Sequence, residues 1–311
     1  MIKHKKTAPV FGAPKMVHFR AKKKAKKTDV KRKSKTKHPK IKKIRLSKKD
    51  RKTIFSEGKP LTSKQYFKQI KFNPKMTNNQ ELNFMIKSIE FNNSGLNPKI
   101  IQAFQTIDRA LFVSHHSYED MPIHIAHGQT ISQPTTIARM LNLLRLEPEQ
   151  NVLEIGTNTG YHSALAAYLV SPGNVTSVEI FPDLAHKARI NVKNLLFDLQ
   201  RKYKDPRIYI QIFTGDALDK KNEIWSKTYD RVYYTAHIDP EQVNHIKKLA
   251  KRALNDDGFL LFPTGQSNVV GRLELWQKHH GHMILIKKDE GYAFVPVVRQ
   301  KDVENYFLRK I

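Results

Sequence analysis

Residues 128–160 read GQTISQPTTIARMLNLLRLEPEQNVLEIGTNTG, and the fold can be worked out from them. Gln133–Pro134 opens a helix, because proline is pre-set for the first helical position. Ile137, Met140, Leu141 and Leu144 then recur at i, i+3, i+4 and i+7, the spacing of one buried helical face. NVLEIG is a short apolar run ending on glycine, the pattern of a strand buried on both faces. The turn TNTG follows, and HSALAAYLV predicts a second helix. Strand, glycine turn and helix within one short stretch is a ligand-binding arrangement, since backbone amides at a helix N-terminus face whatever lies beyond the strand end.

The same alternation continues downstream. NVTSVEI (174–180) is a strand, PDLAHKARINVKNLL (182–196) a helix, IYIQIFTG (208–215) and YDRVYYTA (229–236) strands, PEQVNHIKKLAKRAL (240–254) a helix and GFLLFP (258–263) a strand. LELWQK (273–278), HMILIKK (282–288) and YAFVPVV (292–298) predict a strand-rich end. The fold class is therefore α/β, a doubly wound, mainly parallel sheet with an antiparallel finish. Upstream, Asn97 caps a helix that begins at Pro98 and buries Ile100, Ile101, Phe104 and Ile107. A further helix is expected around Glu81–Ile89, and LFVSHHSYED (111–120) reads as loop.

Charge divides the 311-residue chain. Residues 1–60 hold 24 Lys and Arg against Asp29, Asp50 and Glu57, a net +21 of the overall +28. Such a segment cannot collapse on itself and predicts an extension, residues 1–78, ahead of a folded domain, 79–311. Its basic runs, Lys22, Lys23, Lys24, Lys26, Lys27, Lys31, Arg32, Lys33, Lys42, Lys43 and Arg45, suit an arm lying along an RNA phosphate backbone. A solvated tail, a nuclear-import signal or a mitochondrial presequence would share the composition. There is no cysteine, which excludes thiolate nucleophiles, disulfides and cysteine-based metal sites. No apolar run approaches the roughly 18 residues of a membrane span. His115, His116, His124 and His127 lack the spacing of a zinc site, so no metal is expected.

Around the glycine turn, Glu179 ends the next strand 23 residues after Gly156, where an acid can take both hydroxyls of a ribose. Asp216, in TGDAL, falls near where an adenine would lie. Spacing alone does not separate a nicotinamide dinucleotide from S-adenosylmethionine, although Gly156, Asn158 and Gly160 depart from G-x-G-x-x-G.

GQTISQP, TIARMLNLL, VLEIGTNTGY, SVEI, TGDA, YDRVYYTA, DDGFLLFPTG and FVPV together resemble the protein-L-isoaspartate O-methyltransferase family, in the family's order, over roughly residues 80–298. The resemblance implies a Rossmann-like methyltransferase fold and S-adenosylmethionine as cofactor. It also implies methylation of the free carboxylate of L-isoaspartyl residues in damaged proteins. By that likeness Gly156, Thr157 and Gly160 line the methionine end of the cofactor, Glu179 the ribose, and Asp216 with Ala217 the adenine. Ser132 matches the serine beside the transferred methyl, and Ile125, Ala126, His127 and Val295 border the peptide. A cytoplasmic location is the family expectation, with the mitochondrial matrix as alternative. Ala126, Asn158, Ala217 and His237 depart from the usual pattern. They leave open a second reading, a weakly active or inactive methyltransferase-fold subunit of a ribosome or other RNA–protein assembly, anchored by its arm.

Overall fold

The computed structural model describes residues 78–203, 207–265 and 270–303. The basic extension, with all the lysines and arginines assigned to RNA, lies outside the described residues. In chain order the elements are α1 (Asn78–Asn92), α2 (Pro98–Thr106), β1 (Ile123–His124), β2 (Thr130–Ile131), α3 (Pro134–Leu144), β3 (Asn151–Ile155), α4 (Tyr161–Val170), β4 (Asn174–Glu179) and α5 (Pro182–Lys202). They continue with β5 (Tyr209–Thr214), β6 (Tyr229–Tyr234), α6 (Val243–Ala253), β7 (Leu254–Thr264), β8 (Gly271–His279) and β9 (His282–Tyr292). None of these helices is long and apolar enough to cross a membrane.

Seven strands form one sheet in the order β5-β4-β3-β6-β7-β8-β9. β5 through β7 run parallel, and β8 and β9 turn back antiparallel. Period-2 alternation divides the buried residues between two faces. Val152, Tyr233, Leu261 and Leu273 join α1 to α4 on one side, while Leu153, Ile155, Val232, Tyr234, Leu260 and Phe262 meet α6 on the other. Strand β3, flanked by β4 and β6, sits at the point where the winding direction reverses. Ligands of open α/β sheets bind beyond the carboxyl ends of the strands at that place.

The local signals explain where several elements begin and end. The Asn97 side chain accepts from the Lys99 amide at 3.0 Å, capping α2 as expected. Helix α3 starts at Pro134 and ends where Arg145 turns left-handed, at φ 50°. There the buried Arg231 guanidinium donates to the carbonyls of Leu144 and Arg145, at 2.6 and 3.2 Å, satisfying groups a helix terminus leaves open. On the outer edge, Arg189 of α5 donates to the Ile212 carbonyl of β5 at 2.9 Å, occupying an acceptor that an unpaired strand would otherwise present.

Element ends shift by a few residues from the sequence reading, and two of the differences bear on the site. YAFVPVV is not a strand: β9 ends at Tyr292, and beyond it only Pro296 makes an isolated bridge, to His237. Proline lacks the amide that would continue a ladder. The strand expected over 208–215 spans Tyr209–Thr214, so Asp216 stands in the loop two residues past its end.

Candidate active site

The turn after β3 is built by residues that accept left-handed backbone. Gly156, Asn158 and Gly160 have φ of 100°, 53° and 87°. Asn tolerates this region better than most side chains, so Asn158 preserves the turn. The Gly156 amide donates to the Val178 carbonyl at 2.9 Å, fixing the turn against β4. The Asn158 amide donates to one oxygen of the Glu179 carboxylate at 2.8 Å, and the Phe181 amide donates to the other at 3.1 Å. Glu179 is 3% exposed, and burial pushes its carboxyl above the usual range against the pull of those amides.

These residues open onto a crevice lined by Gln129, Ile155, Gly156, Asn158, Val178, Glu179, Phe181, Gly215, Asp216, Ala217, Thr235 and residues 295–298, with about 40 Å³ of free volume. On its far side the Asp216 carboxylate accepts from the Leu218 amide at 2.7 Å and from the Arg299 Nε at 2.9 Å. The indole of Trp225, a buried residue, donates to the Ala217 carbonyl at 2.9 Å and steadies this wall. Residues 295–298 roof the crevice. The His237 amide donates to the Val295 carbonyl at 2.7 Å, and the Val297 amide donates back to the His237 carbonyl at 2.9 Å. Val298 packs on Phe181, Leu184 and Val303.

The loop carrying the expected peptide residues is fastened to the same rim. His127, at φ 59°, stacks on Phe181 with rings 4.3 Å apart and 8° from parallel. Its Nε2 meets the Asp183 carboxylate at 2.7 Å. Partial burial raises the Asp183 carboxyl, but the His127 contact outweighs this and holds it below the usual range. Ile125 packs against the Phe181 cluster, and Ala126 is exposed, so its methyl points into open surface rather than into packed protein. Ser132 is half-buried between β2 and α3. Capping of α3 falls to Asp120, whose carboxylate accepts from the Thr135 amide at 2.8 Å, and not to Ser132.

Of the residues singled out from sequence, Gly156, Glu179, Asp216, Ala217 and Val295 come together on the crevice wall. Ser132, Thr157, Gly160, Ile125, Ala126 and His127 lie outside the lining. Thr157 turns its hydroxyl down to Ser177 Oγ, at 2.6 Å, so only its backbone borders the turn. Gly160 makes room for α5 instead, since a Cβ there would stand 3.3 Å from Val192. Sequence reasoning missed Gln129, Thr235 and Arg299. Thr235 and Gln129 lie within quoted motifs and were within reach; Arg299 acts across 83 residues and left no local signal. Among the described residues no three His, Asp or Glu side chains converge as a metal site.

The donor set fits an adenosyl cofactor. Any side chain at Gly156 would collide with the Thr235 hydroxyl, so the turn is bare backbone beside the crevice. Backbone amides orient both Glu179 oxygens toward the crevice wall, and a carboxylate can accept further bonds from the hydroxyls of a ribose.

A family model for protein-L-isoaspartate(D-aspartate) O-methyltransferase matches residues 79–302. A protein-L-isoaspartate O-methyltransferase of Methanococcus maripaludis is 34% identical over 204 residues, 64% of this chain and 87% of the relative. One of Pectobacterium atrosepticum is 31% identical over 205 residues, 65% of this chain and 88% of the relative. A Plasmodium falciparum protein described as a protein-L-isoaspartate O-methyltransferase, in complex with S-adenosyl-L-homocysteine, superposes with a TM-score of 0.58 at 19% identity, over 70% of this chain and 97% of that one. That likeness concerns the fold. Given a family match over 79–302, more than two thirds of the chain, and relatives covered nearly end to end, the chain belongs to the protein-L-isoaspartate(D-aspartate) O-methyltransferase family.

Proposed function

We propose that this protein transfers the methyl group of S-adenosylmethionine to the free α-carboxylate of L-isoaspartyl residues, and that Ser132 orients the accepting group. The observation that carries the reading is one crevice joining Gly156, Glu179 and Asp216, with the 125–132 loop pinned to its rim through His127 and Asp183. The cofactor supplies an electrophilic methyl on a sulfonium leaving group. The accepting carboxylate is already ionised at neutral pH, so no general base is required of the chain. Glu179 accepts the ribose hydroxyls, and Asp216 and Ala217 face the adenine end. Ile125, Ala126, His127 and Val295 hold the peptide while residues 295–298 exclude water. Ser132 donates a hydrogen bond to the carboxylate oxygen that is not attacking, which fixes the other oxygen in line with the methyl.

Labelled methyl transfer to an isoaspartyl peptide tests this reading, with the matching aspartyl peptide as control. Ser132→Ala is expected to lower kcat about tenfold to a hundredfold, the worth of a hydrogen bond to a charged group, with little change in cofactor affinity. Wild-type turnover in that variant would remove Ser132 from the chemistry.

The basic extension supports a second, compatible role, because its +21 over 60 residues lies outside the family match and methyl transfer has no use for it. In this reading residues 1–60 bind RNA through the phosphate backbone, in the cytoplasm or in the mitochondrial matrix. Between 50 and 200 mM salt, RNA affinity is expected to fall about 10³-fold or more. Deleting residues 1–60 is expected to remove it and to leave methyl transfer intact. Flat salt dependence in a filter-binding titration would refute RNA binding.

A further inference from the structure

Arg109 is wholly buried, at the turn that follows α2. Its guanidinium donates from Nη1 to the carbonyls of Ser117 and Glu119, both at 3.1 Å, and from Nη2 to those of Met121 and Ser132, both at 3.4 Å. Burying an arginine costs several kcal/mol unless its donors are met; here four backbone carbonyls meet the two terminal nitrogens, and the buried Nε has no hydrogen-bond partner among the described residues. Three of the carbonyls belong to one loop, 117–121, and the fourth is that of Ser132. Within that loop Asp120 reaches the same segment from the other side. Its carboxylate accepts from the Thr135 amide at 2.8 Å, the Thr135 hydroxyl at 2.5 Å and the Ser88 hydroxyl at 2.9 Å. Ser132 itself lies in the two-residue gap between the β2 ladder and the first turn of α3, so neither element fixes its backbone.

We infer that Arg109 and Asp120 are positioning residues for the methyl-transfer step, gripping the chain at Ser132 and again at Thr135 so that the serine hydroxyl holds one direction. The inference rests on the proposed role of Ser132. A planar fork meeting four carbonyls is work that an ammonium cannot reproduce, and a displacement on the order of 1 Å at a reacting group is enough to slow a reaction markedly.

The test is a set of double mutants assayed on an isoaspartyl peptide. R109K and D120N are each expected to lower kcat about tenfold, with the dissociation constant of S-adenosylhomocysteine changed less than twofold. On the S132A background neither is expected to lower kcat more than twofold further, because a brace for a missing hydroxyl has nothing left to position. Multiplicative losses in the double mutants, or loss of cofactor affinity in parallel with kcat, would make Arg109 a general structural residue and overturn the proposal. If R109K does not fold, D120N decides the matter in the same way, as its carboxamide still accepts from Thr135. Wild-type kcat in S132A alone would instead sink the role of the serine, a distinguishable result.

Discussion

Gly156→Ala is expected to destabilise the domain by about 3 kcal/mol or more and to raise the dissociation constant for S-adenosylmethionine at least tenfold. Two costs add at this residue. At φ 100° an alanine is held in a region that costs of order 1–3 kcal/mol. Its methyl would also overlap Thr235 Oγ1, which donates to the carbonyl of Gly156 at 2.7 Å and lies 3.2 Å from that of Ile155. The threonine must rotate away, leaving the partly buried Gly156 carbonyl unmet at about 1–3 kcal/mol, while the Ile155 carbonyl keeps the Thr235 amide at 2.9 Å. For a domain of this size the melting temperature should drop by about 10 °C. Gly95→Ala separates the two costs, since Gly95 has φ 72° but nothing within 4 Å of the added Cβ. It should cost about 1 kcal/mol, from strain alone. Thr235→Ala on the Gly156→Ala background removes the clashing hydroxyl and should recover part of the loss. Thermal melts and calorimetric titration of these three variants beside the parent decide the case, and equal losses at Gly95 and Gly156 would remove the steric argument.

The parallel half of this fold was legible because its signals are local. A strand buried on both faces reads as a continuous apolar run, and proline before a 3.6-residue period marks the start of a helix. Gly156, Asn158 and Gly160 announced a turn because few other residues take positive φ cheaply. The end of the chain was misread for the opposite reason. YAFVPVV has strand composition, yet its hydrogen bonds go to His237, nearly sixty residues earlier, and form a roof over the crevice. No periodicity encodes that pairing. The same holds for the contacts that assemble the site: His127 meets Asp183 across 56 residues and Arg299 meets Asp216 across 83. Residue types at one end of such a pair are visible in sequence, but the partner is set by topology. Thr157 shows the limit within a motif: its position was read correctly as part of the turn, while the direction of its hydroxyl depends on Ser177, one strand away.

That hydroxyl leads to Glu154, where substitution is expected to stabilise the protein. Glu154 lies on β3 with no exposure, beneath α4. One carboxylate oxygen accepts from Ser163 Oγ and from Ser177 Oγ, the latter at 2.6 Å, and Ser177 in turn meets Thr157. The other oxygen has no hydrogen-bond partner among the described residues. Burial pushes the carboxyl up to about 7, against the lowering effect of the serine hydroxyls. Nearby His162 is pushed down to about 3 by burial and stays neutral, so it brings no compensating charge. Because the folded-state pKa is raised, the native protein binds the Glu154 proton more tightly than the unfolded chain does. The stability this contributes is complete below the ordinary glutamate range and is lost as pH rises through about 7, amounting to at most about 3 kcal/mol at pH 8. Glu154→Gln keeps an acceptor for both serines and cannot ionise. It should therefore match the parent near pH 4 and melt about 5–10 °C higher at pH 8. A difference independent of pH would mean that folding does not raise the Glu154 pKa, and would sink the assignment. If the stabilised variant also binds cofactor less tightly, the ionised carboxylate earns its place by orienting Ser177 and, through it, the Thr157 turn, a trade of stability for site geometry. Unchanged affinity would leave the buried acid as a cost that the fold carries without return at the cofactor.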